Sequence, residues 1–215
     1  VYRNLAQNIA NIVHSHLPNA KIAKANDLDT LKSLFLRKWD ILFSFGTSII
    51  VPKSILDTPN LISVNIHGAS PKYPGRDSHH FAIYDEVSKY GATLHFMSEF
   101  VDEGPIIDVQ FFNVDKNDKP IDLLLKSQEV GHTLTSNFFQ NYSRGILPKP
   151  HLKYKWEGVK RTRSDFLKLC EVESDIGREE FFRICKACNM PKYKNVHTYI
   201  QGQRFNLIQS DESRE

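Results

Sequence analysis

Two short stretches of this chain concentrate the side chains that can bind anions and move protons. In NIHGASPKYPGRDSHH (65–80), Asn65 and His67 stand two residues apart at the end of an apolar run. That spacing puts them on one face of a strand. A buried strand has no structural use for an amide beside an imidazole unless both find partners. Carboxyl ends of strands in open α/β sheets also border ligand crevices. The Gly/Pro-rich loop after them carries Lys72 and Arg76, cations suited to anionic groups. Taken alone, the pair reads equally as a satisfied polar patch. The second stretch, SEFVDEGPII (98–107), puts Asp102 in a tight turn closed by Glu103 and Gly104. A carboxylate there is placed to approach His67 and support proton transfer. Its local alternative is an Asp-x-Gly turn that bonds its own backbone.

Strands and helices alternate around these stretches. Leu5, Ile9, Ile12, Val13 and Leu17 repeat at helical spacing, and Pro18-Asn19 stops that helix. KIAKA (21–25) is expected as a short strand, and LDTLKSLFLRKW as a helix capped by Asp27 or Asp29. DILFSFG and LISVNIHG are compact apolar runs ended by glycine, as in strands buried on both faces. PKSIL gives a short helix, SHHFAIYDEV another, YGATLHFMSEFV and GPIIDVQFFNVD two strands, and 120–145 the longest helix signal. The pattern predicts a three-layer α/β fold, Rossmann-like, with a mostly parallel sheet. Because it opens on a helix, the expected first strand is missing from it. Beyond Pro148 the texture changes, so we expect a catalytic unit over 1–150 and a small α+β appendage over 151–215. That appendage carries a helix (GREEFFRICKAC), a hairpin turning at Gln201-Gly202, and a polar, frayed QSDESRE tail.

Composition narrows the function. With 40% apolar and 25% charged residues in 215, the chain can bury a real core. No apolar run approaches the roughly 20 residues that span a bilayer, and the opening residues are too polar for a signal peptide's core. Three cysteines make no disulfide framework, so a reducing cytoplasm is the expected setting. The net charge is +3, and residues 151–215 hold 13 Lys+Arg against 10 Asp+Glu, part of it in KYKWEGVKRTR. That bias is too weak for a nucleic-acid grip and is first of all a solvated basic linker, though a local cluster can meet a phosphate or diphosphate.

Taken together, NIHGASPKYPGRDSHHFAIY and TLHFMSEFVDEGPII resemble the 10-formyltetrahydrofolate-dependent formyltransferases. The shared pattern is Asn-x-His at a strand end, a Pro/Gly loop, then H-F-x-x-x-x-D-x-G-x-I-I, with DILFSFGTSIIVPKSIL matching the preceding strand, loop and helix. The resemblance covers about residues 28–145. It implies the formyltransferase fold, a catalytic trio of Asn65, His67 and Asp102, 10-formyltetrahydrofolate as co-substrate, and no metal. It also places the pterin against Ile49, Ile50 and Val51 and the turn Ser98, Glu99, Phe100, Val101 and Asp102.

The acceptor is read from the loop after the catalytic strand. The S-L-L-P turn usual in enzymes acting on methionyl-tRNA or glycinamide ribonucleotide is absent, and the loop resembles that of bacterial sugar-nucleotide N-formyltransferases. The implied substrate is dTDP-4-amino-4,6-dideoxyglucose, for surface polysaccharide (O-antigen), with Arg76 matching the arginine of sugar-nucleotide members, and Lys72, Tyr73, His79, His80 and Tyr84 are further candidate contacts for its base and diphosphate. The alternatives are a UDP-linked or other amine, or a folate- or nucleotide-binding homologue without turnover. A homodimer through an open sheet edge or the late hairpin is expected. Cys185-Lys-Ala-Cys188 with Cys170 and His197 lacks the ligand pattern of a zinc site and reads as buried apolar surface. His95 reads as a satisfied strand residue, and Trp156 as packing within the appendage.

Overall fold

A computed structural model describes residues 4–190 and 192–207. The expected polar tail QSDESRE lies outside the described residues. Seven helices and six strands follow one another among them: α1 (Leu5–His16), α2 (Leu28–Leu34), β1 (Ile41–Phe45), α3 (Lys53–Leu56), β2 (Ile62–His67), α4 (Ser78–Tyr84), β3 (Lys89–Phe96), β4 (Ile106–Asn113), α5 (Pro120–Ser143), α6 (Arg163–Leu169), α7 (Arg178–Cys188), β5 (His197–Ile200) and β6 (Gln203–Asn206). None of these helices is long and apolar enough to cross a membrane.

Strands β1 to β4 form one sheet in chain order. The expected mostly parallel sheet is mixed: β1 and β2 run parallel, whereas β2–β3 and β3–β4 are antiparallel. The nine residues from Met97 to Pro105 are too few for the helical crossover that two parallel strands require, so β4 must return beside β3. KIAKA is not a strand. Lys21–Lys24 lie exposed in an irregular segment, because that short run has no neighbour against which to bury an apolar face. The longer helix expected over 28–39 stops at Leu34, and α6 went unanticipated. Side chains of Thr162 and Asp165 box its first turn.

Alternation along β2 separates two kinds of surface. Val64 and Ile66 point into an apolar layer with Ala92, Leu94, Val13, Leu134, Phe138 and Phe139, which packs α1 and the second half of α5 against the sheet. Asn65 and His67 therefore face the other way. Antiparallel register sets Asn65 opposite His95 and His67 opposite Thr93. A bulge between Leu94 and His95 shifts the register with β4 at that point, a device that re-aims side chains beside functional sites.

A second apolar cluster joins Tyr73, Phe81, Ala82, Ile83, Tyr90 and Leu123 to Phe166, Cys170, Val172, Ile184, Cys185, Ala187, Cys188 and Val196. Residues on both sides of position 150 thus share one core. All three cysteines are buried in it as free thiols. The late hairpin forms as expected, with Gln201 and Gly202 at φ 52° and 74°, a type I′ geometry.

Candidate active site

The polar face of β2 carries a connected network. Phe96's carbonyl accepts from His95 Nδ1 at 2.8 Å, which leaves His95 Nε2 as an acceptor. Asn65 Nδ2 donates to that nitrogen at 3.0 Å. An amide nitrogen has two protons, so the second N–H of Asn65 can face a ligand. His67 Nε2 donates to the carbonyl of Tyr73 at 2.8 Å, while its Nδ1 lies 3.3 Å from Asp102 Oδ2. The other carboxylate oxygen of Asp102 is 3.6 Å from His95 Nε2.

Asp102 occupies its turn at φ 52°, a left-handed conformation that aspartate tolerates better than most residues. Two glycines make room for it. A Cβ on Gly104 would fall on the Phe96 carbonyl oxygen, so only glycine lets the turn close against β3. Gly75, at φ 92°, aims its N–H at Asp102 Oδ2 across 2.9 Å. Burial opposes ionisation of Asp102. The charge of His67 and the Gly75 N–H, with the His95 ring alongside, outweigh it together, holding the carboxyl below its ordinary range. The site therefore keeps a buried anion against an imidazole and beside an amide that can donate.

A strap, residues 150–162, crosses this network between the Asp102 turn and the 71–76 loop. His151 N–H donates to Ile106 O (2.7 Å), Glu157 N–H to Pro71 O (3.1 Å), and Arg161 N–H to Pro74 O (3.1 Å). Arg76 N–H returns to Arg161 O at 2.9 Å. Lys160 reaches Val101 O at 3.4 Å and pairs with Glu103. Trp156 packs edge-on against the His67 and His95 rings, centroids 5.8 and 5.1 Å away, and its indole N–H donates to Gly104 O at 2.8 Å.

The structure brings Asn65, His67 and Asp102 together. Segment 49–51 lies after β1, whose Phe45 pairs with Ile66, and Lys53 just beyond it is within electrostatic reach of Glu99. Residues 49–51 and 98–102 thus stand on either side of β2, the second segment leaving β3 opposite Ser63 and reaching His67 at Asp102. Ile50, Phe100 and Val101 expose large apolar side chains there. Arg76 and Lys72 are exposed on the loop.

Tyr73 is a correction. Its ring is in the core and its hydroxyl donates to Asp85 at 2.7 Å, so only its backbone carbonyl belongs to the site. His80 is likewise spent, buried against Phe166 with Nδ1 on the Ala187 carbonyl, and Tyr84 donates to Glu180 of α7. His79 keeps part of its surface open, yet enough protein surrounds it that burial, reinforced by His80 and His67, pushes its imidazole down to about 3.

Two residues read as structural belong to the network: His95, which orients Asn65, and Trp156, which packs on both imidazoles rather than within the appendage. The antiparallel partner of Asn65 was the only signal for the first. For the second, nothing in the sequence brings residue 156 to β2.

The sequence profile described as Formyl transferase matches residues 4–138. Among curated relatives, methionyl-tRNA formyltransferase of Lysinibacillus sphaericus is 30% identical over 119 residues, which is 55% of this chain and 38% of that protein. The chain therefore spans well under half the length of that relative. Among solved structures, a sugar N-formyltransferase from Shewanella superposes with a TM-score of 0.79 at 18% identity, covering 99% of this chain and 94% of that one. The N-formyltransferase from Helicobacter canadensis, bound to folinic acid and dTDP-3-aminofucose, gives 0.58 at 22% identity over 74% of this chain and 58% of that one. The fold of these structures is the fold seen here. With the profile covering more than half its residues, the chain belongs to the formyl transferase family.

Proposed function

We propose that the chain transfers a formyl group from 10-formyltetrahydrofolate to the amine of a nucleotide-linked amino sugar, in the cytoplasm. The acceptor we favour is dTDP-4-amino-4,6-dideoxyglucose, for O-antigen and related surface polysaccharide. The observation that carries this reading is the Asn65 amide held by His95 beside a His67–Asp102 pair at the carboxyl end of β2.

Residues around the site fit a folate. Segments 49–51 and 98–102 offer backbone and the exposed apolar side chains of Ile50, Phe100 and Val101 on either side of β2, surfaces suited to a flat heteroaromatic ring. When bound, 10-formyltetrahydrofolate supplies an activated formyl carbon. The free N–H of Asn65 donates to the carbonyl oxygen on which charge develops, stabilisation that is commonly the largest single contribution. His67 holds a proton at Nε2, donated to Tyr73 O in this state, and delivers it to the departing nitrogen. Asp102, ionised at Nδ1 of the same ring, balances the imidazolium and takes up, directly or through water, the proton lost by the attacking amine. The formyl C–N bond to the amine forms, that to the folate breaks, and each nitrogen ends neutral.

Arg76 and Lys72, exposed on the loop beside the site, support diphosphate binding, and half-buried His79 is near enough for His67 to act on its charge. Exposed Tyr199, Ile200 and Phe205 on the β5–β6 hairpin support a homodimer through that hairpin. The test is incubation with 10-formyltetrahydrofolate and, separately, dTDP- and UDP-linked 4-amino sugars, with products monitored by mass. A formyl gain on the dTDP sugar, abolished by His67→Ala, supports the reading. Gain only on the UDP sugar moves the acceptor, and gain on neither refutes it.

A further inference from the structure

We infer that Trp156 is a positioning residue for this reaction, holding His67, His95 and the Asp102 turn in register from above the sheet. The inference rests on the proposed formyl transfer and adds to it a residue outside the sheet and the matched profile, which ends at residue 138.

Three independent contacts converge on one side chain. The indole meets the His67 ring at 64° and the His95 ring at 84°, so its edges and theirs interlock rather than slide. Its only donor is used on Gly104 O, two residues beyond Asp102. His67 itself is tied to its surroundings by one carbonyl and one carboxylate, both of which come from loops. A ring so held is free to rock about the line joining those contacts unless something packs on its face or edge. Trp156 supplies that wall. It does the same for His95, on which the orientation of Asn65 depends.

The strap around Trp156 is fixed at both flanks. The His151 bond to Ile106 precedes it, and the Glu157 bond to Pro71 and the Arg161 bond to Pro74 come after it. Trp156 is therefore presented by backbone bonded to the start of β4 and to the 71–76 loop, while its own indole and Lys160 reach the Asp102 turn. Displacement of a catalytic group by about 1 Å is enough to cost on the order of a hundredfold in rate. The loss falls on the chemical step, because the contacts of Trp156 are to the network.

The experiment compares Trp156→Leu, which removes both the ring wall and the donor, with Trp156→Phe, which keeps a ring. Leu152→Ala, at an exposed position of the same strap, is the control. Expected are a fall in kcat of about a hundredfold for W156L, KM for the folate within about twofold, recovery of most of the rate in W156F, and no change in L152A. Ring-proton resonances of His67 and His95 should shift in W156L, because the indole edge no longer abuts them. This readout needs no turnover, so it judges the inference even if formyl transfer itself is not found. A wild-type kcat in W156L, a rise in KM alone, W156F no better than W156L, or unmoved His67 and His95 resonances would each overturn it. So would a lowered Tm with kcat intact, the mark of a residue that only packs.

Discussion

Consider His79 replaced by glutamine, with the pH lowered from neutrality to about 5. His79 sits in the first turn of α4 against the His80 ring, centroids 4.4 Å apart. Burial first, then the like charges that His80 and His67 would carry, push its imidazole from 6.5 down to about 3. The folded protein therefore binds fewer protons at this site than the unfolded chain. The stabilising contribution is complete above about pH 6.5 and is lost as pH falls toward the folded value. Between about pH 7.5 and pH 5 the linkage amounts to about 2 kcal/mol at most, and less in proportion to the solvent that reaches the ring. His80 and His132 are also held low, chiefly by burial, and contribute acid sensitivity common to both proteins. Urea unfolding of wild type and H79Q at the two pH values isolates the His79 share. The wild type should lose the larger amount on acidification. Equal losses would show that His79 is not the group held neutral, and would refute the reasoning.

Other outcomes rest on single contacts. In Asp102→Asn the carboxylate that the folded state holds low is gone. Wild-type stability should therefore fall faster than that of D102N as pH drops below about 4, a difference that acid titration of Tm would read. Formyl transfer by the same variant should fall roughly a hundredfold or more. Gly104→Ala, whose new methyl meets the Phe96 carbonyl, should displace the Asp102 turn and lower both kcat and Tm, whereas Ala at exposed Gly145 should leave kcat unchanged. Tyr73→Phe removes the donation to Asp85 and should lower unfolding free energy by about 1 kcal/mol. Acceptor KM should be unaffected, since only the Tyr73 backbone reaches His67.

That Asn65, His67 and Asp102 lie close together was legible from local signals, although only the resemblance named them as a trio. Asn65 and His67 share a face by the two-residue period of a strand, and Asp102 sits in a turn marked by its own glycine. The flanking helices and most strand positions came from apolar periodicity. Strand direction did not, because a buried run reads alike in parallel and antiparallel sheets. Without that direction, His95 had no reason to stand opposite Asn65, and a buried mid-strand histidine defaulted to structure. Tyr73 failed in the opposite sense. Its neighbours Lys72 and Arg76 are exposed cations, but the loop turns at Pro71 and Pro74 and sends the aromatic ring inward. Trp156 lies 89 residues from His67, beyond the reach of any local pattern, and only the hydrogen bonds of the strap explain its placement.

The shared core across residue 150 has a consequence for how the molecule is made. A ribosome that has released the chain through β4 and α5 has already delivered Asn65, His67, His95 and Asp102, yet the Phe81 face of α4 still waits for Phe166, Ile184 and Val196. The strap that bonds the 71–76 loop to the Asp102 turn emerges with those late residues. On the proposed function, competence for transfer therefore waits on these later residues, and translation that stops short of α7 leaves Asn65, His67 and Asp102 on a polypeptide with an uncovered apolar face, the kind of surface that invites aggregation and proteolysis.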